Sequence, residues 1–211
     1  MRPKRIILIR HGRSEGNADK NKLSTVPDYA LNLTPEGGEQ AKLAGKEIKE
    51  IIGEETLHVY ISPYFRTRQT FQHIQESIAG NAVKIFEDPR IREQDWGHLI
   101  DVVPYNEIRE QRMDFSPFYF RVPDGESGAD VYDRVSSFLE TLHRDFQKPD
   151  FPENVLIVTH GITLLVFLMR WFHWSVEEFE SLDNLRYCQI VIMEKDADEH
   201  YRLVSELKRK I

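Results

Sequence analysis

Cysteine is nearly missing from this sequence. Cys188 is the only one among 211 residues, so no disulfide can close within the chain, and its scarcity points to a reducing compartment. Long apolar runs are missing too. The longest, Ile162–Met169, runs into Arg170 and falls well short of the roughly 20 residues a membrane-spanning helix needs. The run behind the basic N-terminus, Ile6–Ile9, is shorter than a signal-peptide core. Basic residues are not in excess: 28 Lys and Arg face 35 Asp and Glu, a formal net charge of −7. Such a chain is a poor general binder of nucleic acid or anionic membrane, so any anion site must be a local basic pocket set against the global field. Metal-ligand spacings are absent as well. There is no His-x-x-x-His helix, no cysteine cluster and no Asp-rich loop, so neither metal nor cofactor is expected. No repeat, low-complexity tract or linker divides the chain. The expectation is one domain over residues 1–211, soluble and cytoplasmic.

What the sequence does contain is an alternation of strand and helix patterns. β-branched and aromatic enrichment predicts strands at 5–10, 58–62, 83–87, 154–159, 188–193 and 201–207. The first and fourth are almost wholly apolar, as suits strands buried on both faces of a parallel sheet. The last two, separated by EKDADEH, read as an antiparallel hairpin. Between them lie helices. One opens at Thr34-Pro35 and stops at Gly53, and another opens at Ser62-Pro63 and closes at Gly80. A third has an inward stripe of Val131, Val135, Phe138, Leu142 and Phe146. A fourth begins at Gly161, and Ser175 with Glu178 suggests a capping box for a short fifth. The fold class is α/β, a three-layer α/β/α sandwich with a mostly parallel sheet of about six strands. The aromatic-rich stretch 100–128 is the least regular and reads as a lobe or lid, or equally as a packed insertion.

Two short apolar strands run straight into His-Gly, at IILIRHG (6–12) and NVLIVTHG (154–161). In open α/β sheets ligands bind beyond the carboxyl ends of strands. Arg10, His11 and Gly12 follow the first strand, SPYFR with Arg66 the second, IREQDWG with Glu93 the third, and His160 and Gly161 the fourth. Two imidazoles, two guanidiniums and a carboxyl suffice to move a phosphoryl group. Cations hold its equatorial oxygens, a neutral imidazole attacks phosphorus, and a carboxyl protonates the leaving oxygen. The helix starts at Ser62 and Gly161 would add N–H donors. Gly12 and Gly161 would allow backbone angles closed to other residues. Taken singly, each group has a plainer explanation: a hydrogen-bonded loop histidine, a solvated helix arginine, a carboxylate paired with Arg90 or Arg92. Arg68 reads as a solvated charge. His58, His73, His98, His143, His173 and His200 are scattered and read as structural or exposed, and Trp171, Phe172 and Trp174 as core.

RHG with Asn17, SPYFRTRQT, REQDWG and VTHG, in that order along almost the whole chain, resemble the histidine phosphatase superfamily in its phosphoglycerate mutase-like branch. PDGESGADVYDR (123–134) also looks like a family segment. The resemblance implies His11 as nucleophile and phosphohistidine. Arg10, Arg66 and His160 would form the phosphate pocket, Glu93 would be the proton donor, and Asn17 would contact substrate, with no metal. The substrate-binding set is then Arg10, His11, Asn17, Arg66, His160 and Gly161, acting on a small phosphorylated substrate. The sequence departs from the glycolytic mutases of the branch in reading WGHLIDVV after Glu93, in ending soon after its last strand, and in carrying Arg13. The altered loop and the short end favour hydrolysis, Arg13 is given no role, and the wording looks closer to eukaryotic mutase-like broad-range acid phosphatases. A phosphoglycerate mutase and a silent phospho-ligand-binding module are the alternatives. Specificity is expected in the 18–33 and 100–128 regions, with Ser24, Thr25 and Arg121 as residues within reach.

Overall fold

The computed structural model describes residues 2–97 and 105–210. Six strands form one sheet: β1 (Arg5–Arg10), β2 (Leu57–Ile61), β3 (Ala82–Glu87), β4 (Asn154–Thr159), β5 (Ile190–Lys195) and β6 (Tyr201–Leu203). Their spatial order is β3-β2-β4-β1-β5-β6. β1, β2, β3 and β4 are parallel, whereas β5 runs antiparallel to β1 and β6 antiparallel to β5. The mostly parallel six-stranded sheet and the terminal hairpin are as the sequence predicts.

Alternation along β1 assigns the two faces. Ile7 and Ile9 point to one side, where α2 (Pro35–Ile52) and α3 (Phe65–Ile78) bury Ile48, Ile52, Ile74 and Ile78. Ile6 and Leu8 point to the other, where α5 (Gly128–Asp145) and α6 (Gly161–Phe172) bury Val131, Val135, Phe138 and Phe167. The result is the expected three layers. Trp171, Phe172 and Trp174 are partly buried against the second core. Helix ends follow the cap residues: Thr34 accepts from Gly37 N–H ahead of Pro35, and Gly53 ends α2 at a φ of 56°. Ser127 and Asp130 form a capping box on α5, and Ser175 caps α7 (Val176–Ser181) through Glu178 N–H.

Several boundaries differ from expectation. The helix predicted to open at Ser62-Pro63 begins at Phe65, with Tyr64 at its N-cap, because Ser62 instead continues the ladder by donating its N–H to Val158. β5 starts at Ile190, because Cys188 has a φ of 52°, incompatible with a strand. β6 stops at Leu203, beyond which the Ser205 hydroxyl takes the Ile192 N–H. The described part of the 100–128 stretch, from residue 105 on, is more regular than its composition suggests. It contains α4 (Tyr105–Phe115), then a turn that buries Phe118 in the core while Phe115 and Tyr119 stay exposed. His98 and most of WGHLIDVV lie outside the described residues. No helix among the described residues is long and apolar enough to cross a membrane.

A close backbone crossing fixes the loop after β1 on the start of α2. A Cβ at Gly37 would lie 2.2 Å from the Arg13 carbonyl oxygen, and one at Gly12 would lie 2.4 Å from the Gly37 oxygen. Neither contact is tolerable without backbone movement. Gly37→Ala is therefore expected to lower stability by about 1–3 kcal/mol, the range of overpacked cores, read as a lower denaturant midpoint at unchanged slope. An unchanged midpoint would show the crossing to be slack.

Candidate active site

The site is a consequence of strand register. Arg10, the last residue of β1, pairs with Thr159, the last of β4. The next residue on each strand is a histidine, and adjacent strands lie about 5 Å apart. His11 and His160 are accordingly neighbours, both buried, with ring centroids 5.1 Å apart. β2 flanks β4 on its other side and is followed by Ser62, whose hydroxyl lies 2.7 Å from His160 Nε2. The sheet thus brings together residues about 150 positions apart in sequence.

Each ring is held by its partners. His11 Nδ1 lies 2.7 Å from the Gly12 carbonyl, which can only accept, so Nδ1 carries the proton and Nε2 keeps its lone pair. That lone pair faces Arg66, whose Nε lies 3.3 Å away. Arg66 stands in the first turn of α3 with its side chain only 4 % exposed, and Tyr64 covers its guanidinium at 4.9 Å. Asp28 grips the other end of the same guanidinium. Arg10 donates to the Leu185 carbonyl and lies 4.5 Å over the Tyr187 ring.

Glu93 follows a 3₁₀ turn at Pro89–Ile91. Its carboxylate is 3.6 Å from His160 Nδ1 and 3.9 Å from Arg66 Nη2, with 14 % of the side chain exposed. It pairs with neither Arg90 nor Arg92, which bind Asp88 and Glu126. Its loop is clamped from behind by Arg134, which donates to the Arg90, Arg92 and Glu93 carbonyls and is itself held by Glu126. This gives the PDGES…R segment a physical role: it supports the carboxyl from α5.

Burial and the two guanidiniums act together on the imidazoles and against each other on Glu93. Burial first, then Arg66 and Arg10, hold the His11 imidazole well below its ordinary pKa. Burial, Arg66 and His11 do the same to His160. Burial pushes the Glu93 carboxyl up against the pull of Arg66, and burial raises the Tyr64 phenol to about 12. Neutral imidazoles and a reluctant carboxylate therefore share one cationic cup.

A cavity of about 420 Å³ opens onto this cup. Arg10, His11, Asn17, Arg66, Glu93 and Gly161 all line it, while His160 sits behind as the N-cap of α6. Asn17 uses its side-chain carbonyl to close the turn with Ser14, so what it offers a ligand is its amide N–H pair. Gly12 and Gly161 do not serve through backbone angle, since neither has a positive φ. They are needed for space: a Cβ at Gly161 would meet Asn184 Oδ1 at 2.7 Å and Arg10 Nε at 3.4 Å. His11, Glu93 and His160 offer ligand atoms within 4.8 Å of one another, yet the flanking guanidiniums make the cup a site for anions rather than cations.

Ser62 does not supply the expected N–H donor, since that group is spent on the Val158 carbonyl, and its hydroxyl contact to His160 was not foreseen. Sequence reasoning also passed over Asp28, along with Lys20, Trp96 and Arg109 on the outer wall. The 18–33 and 100–128 regions do supply that wall, through Lys20, Leu23, Asp28, Arg109 and Met113. Burial lowers the Lys20 pKa, an effect Arg10 and Arg109 add to and Asp28 and Glu93 oppose. The residues singled out in those regions are occupied elsewhere. Ser24 and Thr25 bond back to the Asn21 and Lys22 carbonyls, and Arg121 pairs with Asp130. Arg13 pairs with Glu36 on the surface, and Arg68 with Glu87.

This geometry agrees with the chain's similarity to known proteins. It is 42 % identical to the phosphoglycerate mutase-like protein AT74H of Arabidopsis thaliana, over 95 % of this chain and 77 % of that one. It is 32 % identical to the broad-range acid phosphatase DET1 of Saccharomyces cerevisiae, over 92 % and 86 %. Among solved structures, mycobacterial hydrolase 1 superposes with a TM-score of 0.76 at 19 % identity, covering 98 % of this chain and 99 % of that one. The sequence profile of the histidine phosphatase superfamily (branch 1) matches residues 6–206, and the chain belongs to that family.

Proposed function

We propose that this protein is a phosphomonoester phosphatase working through a phosphohistidine on His11. The observation that carries this reading is the unprotonated Nε2 of His11, fixed by the Nδ1 contact to Gly12 and facing the Arg66 guanidinium, with ligand atoms of His11, Glu93 and His160 within 4.8 Å of one another. In the first half-reaction Nε2 attacks phosphorus, the bond from phosphorus to the ester oxygen breaks, and protonated Glu93 gives its proton to that oxygen. Arg10, Arg66, His160 and the Gly161 N–H at the start of α6 hold the equatorial oxygens, where negative charge is spread. In the second half-reaction the Glu93 carboxylate takes a proton from water. The water oxygen bonds to phosphorus as the N–P bond breaks, releasing inorganic phosphate and restoring the enzyme. The similarity to a broad-range acid phosphatase supports hydrolysis of several phosphomonoesters over a mutase reaction.

The opposite pKa shifts support an optimum on the acid side. His11, lowered, stays nucleophilic as pH falls below the ordinary imidazole range. Glu93, raised, keeps its proton above the ordinary carboxyl range. kcat/KM is therefore expected to peak below neutrality and to fall as pH rises through the Glu93 pKa. A rate that climbs steadily from about pH 5 to pH 8 would rule Glu93 out as the acid.

His11→Ala is expected to abolish phosphate release from p-nitrophenyl phosphate, and equal rates would rule out His11 as nucleophile. Glu93→Gln separates the two half-reactions. An alkyl ester, with its poor leaving group, should react about 10²–10⁴-fold more slowly. p-Nitrophenyl phosphate needs no acid to depart, so it should still phosphorylate the enzyme, and the phosphohistidine should accumulate because the base is lost. Mass spectrometry after alkaline quench reads that adduct. Its absence alongside normal nitrophenol release would overturn the role of Glu93. Transfer of the label to glycerate in place of water would identify a mutase.

A further inference from the structure

We propose that Asp28 is a positioning residue, which grips one end of the Arg66 guanidinium and thereby fixes the opposite edge on the phosphoryl site. The inference rests on the reading of His11 as the phosphoryl acceptor. It comes from accounting for the five N–H groups of the arginine fork. Nη1 spends both of its hydrogens on Asp28, one on the backbone carbonyl at 2.6 Å and one on Oδ1 at 3.1 Å. Nη2 spends one on Asp28 Oδ2, also at 3.1 Å. What remains is the edge made of Nε and the second Nη2 hydrogen. Nε faces His11 Nε2 at 3.3 Å and Nη2 faces Glu93 at 3.9 Å. A guanidinium offers two edges for bidentate binding of an oxyanion. Here the end-on edge is filled by Asp28, and the side-on edge is turned to the nucleophile, with Nε donating to His11 Nε2.

The geometry separates this arrangement from simple competition. Were Asp28 a stand-in for phosphate, its carboxylate would occupy the edge facing His11. It occupies the other one. Asp28 is in turn well placed to act as an anchor. It opens the 3₁₀ turn Asp28–Ala30 directly after Pro27, and Leu31 behind it is buried. Its own carboxylate is 33 % exposed, whereas the arginine it grips is almost wholly buried. A long side chain fixed at three points need not be ordered again when substrate arrives. Asp28 also opposes Arg66 electrostatically at Glu93, pushing that carboxyl up where the arginine pulls it down.

Asp28→Asn keeps the shape and one accepting oxygen but loses the second carboxylate contact and the charge. With p-nitrophenyl phosphate as substrate, kcat is expected to fall at least about tenfold, the scale of loss from a slightly misplaced catalytic group. KM should move less than about threefold, because the aim matters most in the transition state. Inhibition by orthovanadate, which adopts the five-coordinate geometry, should weaken in step with kcat/KM. Asp28→Glu should recover part of both. A loss confined to thermal stability, with kcat and vanadate inhibition unchanged, would overturn the proposal. So would a gain in vanadate affinity, which would make Asp28 a competitor of the anion. Quenched phosphoenzyme in the wild type distinguishes the two levels of the claim. No label on wild-type His11 defeats the phosphohistidine reading and this inference with it. Label forming equally fast in wild type and Asp28→Asn defeats the role of Asp28 alone.

Discussion

The register between β1 and β4 is the constraint on which the rest of the site depends. Pairing Arg10 with Thr159 leaves His11 and His160 side by side at the carboxyl edge of the sheet. A slip of one residue would turn every inward side chain of the strand outward, and both strands are buried on both faces. The hydrophobic cores that lock the register therefore also locate the imidazoles. β4 lies between β1 and β2, so the chain must cross over it on leaving β1. That crossover carries α2, and α3, which follows β2 directly, brings Arg66 to the same edge. Folding energy and site geometry are supplied by the same apolar contacts.

The cup is cationic within an acidic protein. Two arginines surround two histidines that burial keeps neutral, and the carboxyls nearby are few and individually accounted for. Asp28 sits on the far end of Arg66, and Glu93 bridges Arg66 and His160 at distances too long for firm hydrogen bonds. One Glu93 oxygen accepts from the Gln94 N–H, and the other, between Arg66 and His160, is the one whose proton would move in the proposed reaction. The Glu93 backbone, by contrast, is fixed by Arg134 and Glu126. A rigid main chain carrying a carboxyl with one oxygen held and the other only loosely engaged would suit a group that alternates between acid and base.

Much of this was legible in the sequence because it is written in short local patterns. Apolar runs ending in His-Gly marked β1 and β4, and Thr34-Pro35 and Gly53 bounded α2. The gathering of Arg10, His11, Arg66, Glu93, His160 and Gly161 followed from placing each at a strand end. What escaped depends on contacts between distant segments. Asp28 lies in a loop with no periodicity, and nothing in PDYALN says which arginine it will meet. Ser62 read as a helix cap, yet β2 ends beside β4 and gives its hydroxyl to His160. Gly12 and Gly161 looked like positions needing unusual angles, whereas each makes room for a neighbour that only the tertiary fold supplies. α4 was hidden because an aromatic-rich, weakly amphipathic segment has no clear helical stripe.

The protonation state of His11 in the resting protein tests the central claim most directly. Its imidazole nitrogens can be followed by ¹H–¹⁵N correlation spectroscopy across pH, with His11→Gln used for assignment. A neutral ring protonated on Nδ1, persisting well below the ordinary histidine midpoint of about 6.5, is the expected result. An imidazolium at His11 titrating at or above that value, or a neutral ring with its proton on Nε2, would contradict it, since neither presents a lone pair to phosphorus.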